Sequence, residues 1–212
     1  MGRNMKVELH LHTDRYSPCA RSTPEEMIFW LAAAGYEAVY ITEHDAVWTD
    51  GELASLQIKF PQVRIFPGVE LTLPGDDLQH LLVLGTNDPA FLLLKAPQDI
   101  LAAARSQGHL TILAHPLRKL RGAPMLEAGL MPDALEHRTG NQGPYRGQIV
   151  EKMGSQLGVP LVNTGDAHNP EALDQFWIET YRPLLRADDI RDIVLSGAYE
   201  CFVQEPVPAV SV

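Results

Sequence analysis

Cysteine is scarce in this sequence. Of its 212 residues only Cys19 and Cys201 are cysteines; they lie far apart and form no CxxC pair. A disulfide framework is therefore not expected, and a reducing compartment is the default environment for such a chain.

Long apolar runs and basic residues are also in short supply. No run approaches the roughly 18 consecutive apolar residues that a membrane helix needs, and positions 1–6 lack the apolar stretch of a signal peptide. We therefore expect a cytoplasmic protein with no membrane partner. The 17 Lys and Arg residues are outnumbered by 27 Asp and Glu residues, and the net charge of -10 disfavours long nucleic acids as partners. Bound divalent cations would restore positive charge locally, so a small anionic substrate remains compatible with this composition.

The sequence does contain a regular alternation of short apolar segments and amphipathic stretches. With 45% hydrophobic residues, a chain of this length is expected to form one domain over residues 1–212. Segments rich in apolar and β-branched residues predict seven strands, at 7–10, 39–42, 64–67, 81–84, 111–114, 134–136 and 161–163. A further short strand is possible at 200–203, and residues 206–212 have the composition of a loose terminus.

Helices are predicted between several of these strands. The first begins with Thr23 as N-cap, Pro24 at the first position and Glu26 closing a capping box, and it ends at Gly35. Further helices are predicted at 53–59, 98–107, 148–157 and 188–195. Such alternation favours a parallel sheet, and this many units in one domain favours closure into a β/α barrel of about seven strands.

Histidines and acids concentrate near the ends of the predicted strands. His10 and His12 follow the first strand, whose two-residue period places both imidazoles on one face, where they could hold one metal ion. Two histidines near a strand end are also common as surface residues, so the pair decides little by itself. Six of the eight histidines, together with Glu70 and Asp166, lie within or next to a strand end: His10, His12, His44, His80, His115 and His168.

Five of these six histidines lie at or just beyond a C-terminal strand end, the face on which β/α barrels build their sites. His80 instead precedes its predicted strand. Either that strand boundary differs by a few residues, or the chain enters the site from the loop. The pattern as a whole favours a metal cluster.

Five short motifs occur in order along the chain: His10-Leu11-His12, Thr42-Glu43-His44, Gly68-Val69-Glu70 followed by His80, Ala114-His115-Pro116, and Thr164-Gly165-Asp166-Ala167-His168. In this set and order they resemble the motifs of the polymerase and histidinol phosphatase (PHP) family, from near the N-terminus to about Asn169. The resemblance implies a distorted (β/α)7 barrel, which agrees with the strand count, and a centre of two or three divalent metal ions.

The resemblance also implies a division of ligands. One metal would be held by His10, His12, Glu70 and Asp166, and Glu70 would bridge to a second metal held by His80 and His115. His44 and His168 would serve a third. Imidazole suits Zn, Mn or Fe, and a carboxylate can bridge two cations, so all three metals remain open.

The third site departs from the family pattern. Glu43 stands where the family usually has Asp, and no obvious acid or histidine follows shortly after the HxH motif. Asp14 and Cys19 are the nearest candidates, and a thiolate at Cys19 would favour a soft metal such as Zn. We expect two metals to bind tightly and the third weakly or only with substrate.

Other polar residues have alternative roles. His109 precedes a strand on the opposite barrel face and is expected to be structural or solvated. His137 follows the sixth strand and is a candidate ligand or substrate contact, although no motif matches it. Arg118, Lys119 and Arg121 follow the Ala-His-Pro motif. Such a run is usually a solvated face, but its place near the metals makes it a candidate phosphate clamp. Arg138 and Arg146 are weaker candidates.

The residues and the resemblance together predict a metal-dependent phosphoesterase acting on a small phosphorylated metabolite or nucleotide. A hydroxide between two metals would attack phosphorus, and His168 or His44 could protonate the leaving oxygen. The same centre could act on an amide or ester carbonyl, or the protein could be a metal-binding regulatory protein without turnover. Substrate identity and oligomeric state are not encoded in any readable motif.

Overall fold

The computed structural model describes residues 4–75, 79–118 and 123–204. Nine strands of this part form one sheet in the order β7-β6-β5-β4-β3-β2-β1-β8-β9. Their bounds are β1 Met5–Leu11, β2 Ala38–Ile41, β3 Arg64–Thr72, β4 His80–Leu84, β5 Leu110–Ala114, β6 Ala134–Arg138, β7 Leu161–Asn163, β8 Phe176–Thr180 and β9 Tyr199–Val203.

In the described ranges, six α-helices lie between or after these strands. They are α1 Pro24–Ala33, α2 Asp50–Lys59, α3 Pro97–Gln107, α4 Pro124–Glu127, α5 Pro144–Leu157 and α6 Asp189–Leu195. The capping box predicted at Thr23 and Glu26 is present at the start of α1. A second one, formed by Thr49 and Glu52, starts α2 three residues before the predicted position.

The sheet is not uniformly parallel, which corrects the sequence prediction. β4 is antiparallel to both β3 and β5, β8 is antiparallel to β1, and β9 is antiparallel to β8. β3 extends to Thr72 and β4 begins at His80. The connection between them is shorter than the dozen or so residues that a parallel crossover requires, so the chain turns back as a hairpin.

The curled sheet nearly closes into a barrel, as the alternation predicts. The backbone N–H of His12 donates to the carbonyl of Ala167 at 3.0 Å, which joins the end of β1 to the segment after β7. The Asn163 side chain donates to the carbonyl of Phe202 at 2.9 Å and links β7 to β9. β9 confirms the short strand predicted at 200–203, whereas β8 is not among the predicted strands.

Apolar side chains fill the barrel and the layer under the helices. Tyr40, Leu82 and Ile112 belong to the inner cluster, and Leu113 packs with Val150 of α5 in an outer one. Within the described part of the chain, no helix has the length and apolar character needed to cross a bilayer.

Candidate metal centre

The eight residues predicted as metal ligands meet at one mouth of the barrel. The reversed direction of β4 explains His80: because β4 is antiparallel to its neighbours, its first residue lies at the mouth where β5 ends. In the strand register His80 pairs with Thr72 of β3 and with Ala114 of β5, the residue before His115. The strand starts one residue earlier than predicted, and its direction brings His80 to the site.

Glu70 lies at the centre of the cluster and is fully buried. Five imidazoles approach its carboxylate: His44 Nδ1 and His80 Nδ1 at 2.8 Å, His12 Nε2 and His115 Nε2 at 3.2 Å, and His10 Nε2 at 3.4 Å. One carboxylate between so many nitrogen donors has the arrangement expected of a ligand that bridges two cations.

Asp166 forms the second acidic wall. Its Oδ1 atom lies 3.4 Å from His12 Nε2 and 3.5 Å from His10 Nε2, and His168 Nδ1 lies 3.7 Å away. Asn141, which the sequence analysis did not single out, donates from Nδ2 to Asp166 Oδ2 at 2.5 Å. This bond holds the carboxylate toward the histidines.

The backbone is strained at two of the eight positions. His115 has a φ of 29° and Asp166 a φ of 48°, in the left-handed region that residues with a side chain rarely adopt. Such a conformation costs about 1–3 kcal/mol and is concentrated at active sites, where the surrounding structure enforces it. In both residues the strain aims a ligand side chain into the mouth.

Among the residues that the structure describes, three sets of side chains have ligand atoms that all lie within 4.8 Å of one another inside the set: His10, His12 and Glu70; His44, Glu70 and His80; and His12, His44 and His168. The first set agrees with the first metal that the resemblance implies. The third set adds His12 to the two histidines expected there. How the ligands divide among separate ions remains a prediction.

The chemistry of this donor set fits divalent cations. The Nε2 atoms of His10 and His12 lie 2.9 Å apart, and the buried Glu70 Oε2 atom lies within 3.4 Å of nitrogens of His10, His12 and His44. Buried polar atoms are normally satisfied, and a cation in the cluster would satisfy these. Imidazole nitrogens and carboxylate oxygens are the ligands that zinc, manganese and iron accept.

The electrostatics of the protein alone also favour a cation. Burial by itself would raise the pKa of Glu70, but the charge of His10 and the hydrogen bonds from His10 and His115 lower that pKa well below 4.5. Burial opposes protonation of His10, yet Asp166, Glu70 and Glu136 raise its pKa well above 6.5. The site therefore keeps its carboxylates charged and attracts protons or metal ions.

Glu136 on β6 is a functional candidate that the sequence analysis missed. It is fully buried, and its carboxylate accepts from His10 Nδ1, from the backbone N–H of His115 and from the Thr164 hydroxyl, each at 2.6 Å. The available signal was a glutamate inside an apolar strand segment, which rarely stays buried without partners.

Asp14 and Cys19 are exposed and belong to none of the three donor sets. His137 lies near Gly147 of α5, and its Nε2 atom is buried without a partner. His109 Nδ1 lies 2.7 Å from Asp188 Oδ1 and has the structural role predicted for it.

A cleft of about 430 Å³ opens beside the cluster. Arg21, Arg118 and Cys19 line it together with Asp166 and His168. Among the described residues, no ion pair or side-chain hydrogen bond engages the guanidinium of Arg21 or Arg118. The other basic candidates lie elsewhere: Lys119 and Arg121 fall outside the described residues, and Arg138 and Arg146 do not line the cleft.

Comparison with known proteins supports the fold. No family model matches the sequence, and no curated protein is detectably similar to it. Several solved structures are similar, among them a two-domain protein from Bacteroides vulgatus containing a predicted PHP-like metal-dependent phosphoesterase, with a TM-score of 0.69 and 15% identity. The match covers 95% of this chain and 65% of that protein, so the chain spans less than two thirds of its length.

Two further structures share this fold. A lesion-specific endonuclease from Pyrococcus furiosus has a TM-score of 0.69 and 15% identity, over 94% of this chain and 58% of that one. An amidohydrolase from Chromobacterium violaceum, with bound sulfate and no metal, has a TM-score of 0.65 and 14% identity, and the match covers 92% of this chain and 97% of that one. The fold is therefore the distorted β/α barrel that the sequence predicts, and it is similar to the fold of these structures.

Proposed function

We propose that this protein is a metal-dependent phosphoesterase that hydrolyses a small phosphorylated metabolite or nucleotide. One observation carries the proposal: the cluster of six imidazoles and two carboxylates, of which all but His44 and His168 are buried, borders a cleft lined also by Arg21 and Arg118. Cation ligands and guanidinium groups side by side form a site for an anion. The protein as a whole is acidic, so the two arginines at this cleft do not simply reflect its overall composition.

Each part of the site has a role in this proposal. Two or three divalent ions, when bound, would activate water as the nucleophile and offset the charge of the phosphate oxygens. Glu70 and Asp166 would hold these ions close together. His44 and His168 have side chains that remain 24% and 21% exposed. They are the most exposed histidines of the cluster, and whichever of them does not bind a metal ion could protonate the leaving oxygen.

Arg118 is the proposed phosphate clamp, with Arg21 beside it. A guanidinium group binds two phosphate oxygens through parallel N–H bonds, which fixes the orientation of the phosphate relative to the metals. Because both arginines are at a wide cleft, we expect the site to accept small esters with varied leaving groups.

The comparisons support a hydrolase and leave its substrate open. The phosphoesterase domain and the endonuclease are consistent with phosphate-ester chemistry. The amidohydrolase also favours one alternative, hydrolysis of an amide or ester by the same centre.

A paired substrate screen tests the proposal. Protein loaded with Mn²⁺ or Zn²⁺ is assayed against phosphomonoesters, phosphodiesters, amides and carboxylic esters, with Glu70→Gln as the negative control. We expect phosphate esters to be hydrolysed well above the other classes. Turnover confined to amides or carboxylic esters would establish the alternative, and tight metal binding without any turnover would indicate a regulatory protein.

A further inference from the structure

The hydroxyl of Ser17 connects two of the ligand-bearing segments. Its Oγ atom donates to Glu43 Oε2 at 2.5 Å, accepts from the backbone N–H of His44 at 3.1 Å, and lies 3.2 Å from Nδ1 of His12. Ser17, Glu43 and His12 are all fully buried. One hydroxyl thus joins the loop after β1 to the end of β2.

Glu43 is engaged by donors on both of its oxygens. Oε2 accepts from the backbone N–H of Thr13 at 3.1 Å and from Ser17; Oε1 accepts from the Thr13 hydroxyl and from Trp48 Nε1 at 3.2 Å. Four donors converging on one carboxylate match its ionised form, which only accepts hydrogen bonds. Glu43 therefore faces the loop, and it belongs to none of the metal-donor sets.

The hydrogen bonds of the Ser17 hydroxyl determine which ring nitrogen of His12 carries a proton. A serine hydroxyl has one proton and two acceptor sites. Its proton goes to Glu43, and the backbone N–H of His44 occupies one acceptor site. The remaining site faces His12 Nδ1, so this nitrogen must be the donor. His12 then carries a proton on Nδ1, so the neutral ring has its lone pair on Nε2, the atom 3.2 Å from Glu70 Oε2.

We propose that Ser17 and Glu43 are positioning residues that hold His12 in the Nδ1–H tautomer and so present its Nε2 atom to a metal ion. This inference rests on the metal centre proposed above. Histidine ligands commonly donate their second N–H to a neighbouring acceptor, and loss of that acceptor lowers metal affinity about 10–100-fold. Here the acceptor is a hydroxyl whose own orientation depends on Glu43.

The glutamate at position 43, where the family motif usually has Asp, has a structural explanation. Glu43 stands where the family has Asp, and its longer side chain reaches Thr13, Ser17 and Trp48 together. The substitution does not remove a ligand from the centre. It supplies the fixed acceptor that orients the Ser17 hydroxyl.

Two variants test the inference. Ser17→Ala removes the acceptor of His12 Nδ1–H. Glu43→Gln keeps the shape of the side chain. When the amide oxygen of the new glutamine accepts from Trp48, its amide nitrogen faces Ser17 and donates to the hydroxyl. The Ser17 proton then turns toward His12 Nδ1, which favours the Nε2–H tautomer of His12. Ser22→Ala is the matched control, because Ser22 is a buried serine of the same loop whose side chain makes no hydrogen bond to Glu43.

Two measurements are made on folded protein, as judged by circular dichroism. In competition titrations we expect Zn²⁺ affinity to fall about 10–100-fold in both variants and to be unchanged in Ser22→Ala. In long-range proton–nitrogen NMR spectra of metal-free protein at alkaline pH, His12 should be the Nδ1–H tautomer in wild type and shift toward Nε2–H in Glu43→Gln.

Unchanged zinc affinity in both variants would overturn the inference. A loss of affinity with the His12 tautomer unaltered in Glu43→Gln would also overturn it, because the role would then be structural only. Absence of zinc binding by wild type would instead contradict the proposed function.

Discussion

The Nδ1 atom of His10 lies 2.6 Å from Oε1 of Glu136, and both side chains are fully buried. A carboxylate at this distance fixes the His10 proton on Nδ1 and leaves Nε2 to face Glu70 and Asp166. The same carboxylate anchors the backbone of His115 and the Thr164 hydroxyl. Glu136 therefore connects three segments of the barrel mouth, those of His10, His115 and Thr164, and fixes their relative orientation.

We predict that Glu136→Gln lowers metal affinity about 10–100-fold, as expected for loss of a partner that orients a histidine ligand. The glutamine amide also places an N–H group opposite at least one of the three donors that Glu136 accepts from. A buried donor left without an acceptor lowers the stability of the folded protein by about 1–3 kcal/mol. Zinc titration and urea denaturation measure the two effects. Glu127→Gln, at an exposed position, is the control. Wild-type affinity in Glu136→Gln would refute the orienting role.

The sequence predicts which polar residues meet at the barrel mouth better than it predicts the sheet. The candidate ligand positions follow from local features, since histidines and acids stand out at the ends of apolar segments. The antiparallel direction of β4 follows from the short connection left when β3 extends to Thr72, and β8 pairs with β1, which is distant in sequence. The period of the hydrophobic pattern reveals neither. For the same reason Glu136 appeared only as a strand residue: its partners His10 and Thr164 are distant in sequence.

Glu8 is predicted to make the metal-free protein less stable as the pH rises. Burial is the main cause that raises the pKa of Glu8 from 4.5 to about 7, and the hydrogen bonds from Gly165 and His10 oppose it. Between these values the folded state retains a proton that the unfolded state has lost, so stability falls as pH increases. The difference is on the order of 3 kcal/mol.

Glu8→Gln imitates the protonated side chain and should remove this contribution. Urea denaturation of metal-free protein between pH 4.5 and 8 should show the variant gaining stability relative to wild type as pH rises. Glu200→Gln, on the exposed surface of β9, should follow wild type throughout. Parallel pH profiles for wild type and Glu8→Gln would show that this carboxyl is not perturbed.

Cys19→Ser is predicted to bind as much metal as wild type. Cys19 is exposed at the edge of the cleft and outside the donor sets, whereas His168 lies with His12 and His44. Elemental analysis after extensive dialysis should show equal metal content in Cys19→Ser and a lower content in His168→Ala. A metal lost from Cys19→Ser would identify the thiolate as a ligand.

Arg118→Ala is predicted to raise KM for phosphate esters about tenfold to a hundredfold, because a hydrogen bond to a charged group contributes about 1.5–3 kcal/mol. Steady-state kinetics with phosphate esters measure the change. Arg105→Ala, at an exposed position in the last turn of α3, should leave KM unaltered. The clamp assignment would be wrong if Arg118→Ala kept the wild-type KM.

The most direct test of the metal-dependent phosphoesterase is phosphate release by protein stripped with a chelator and then reconstituted with Mn²⁺ or Zn²⁺, alongside elemental analysis. Stripped wild type should be inactive and should recover activity in proportion to bound metal. Glu70→Gln should recover neither metal nor activity, since the central carboxylate that five imidazoles approach has lost its charge. Full phosphate release by protein shown to contain no metal would contradict the account.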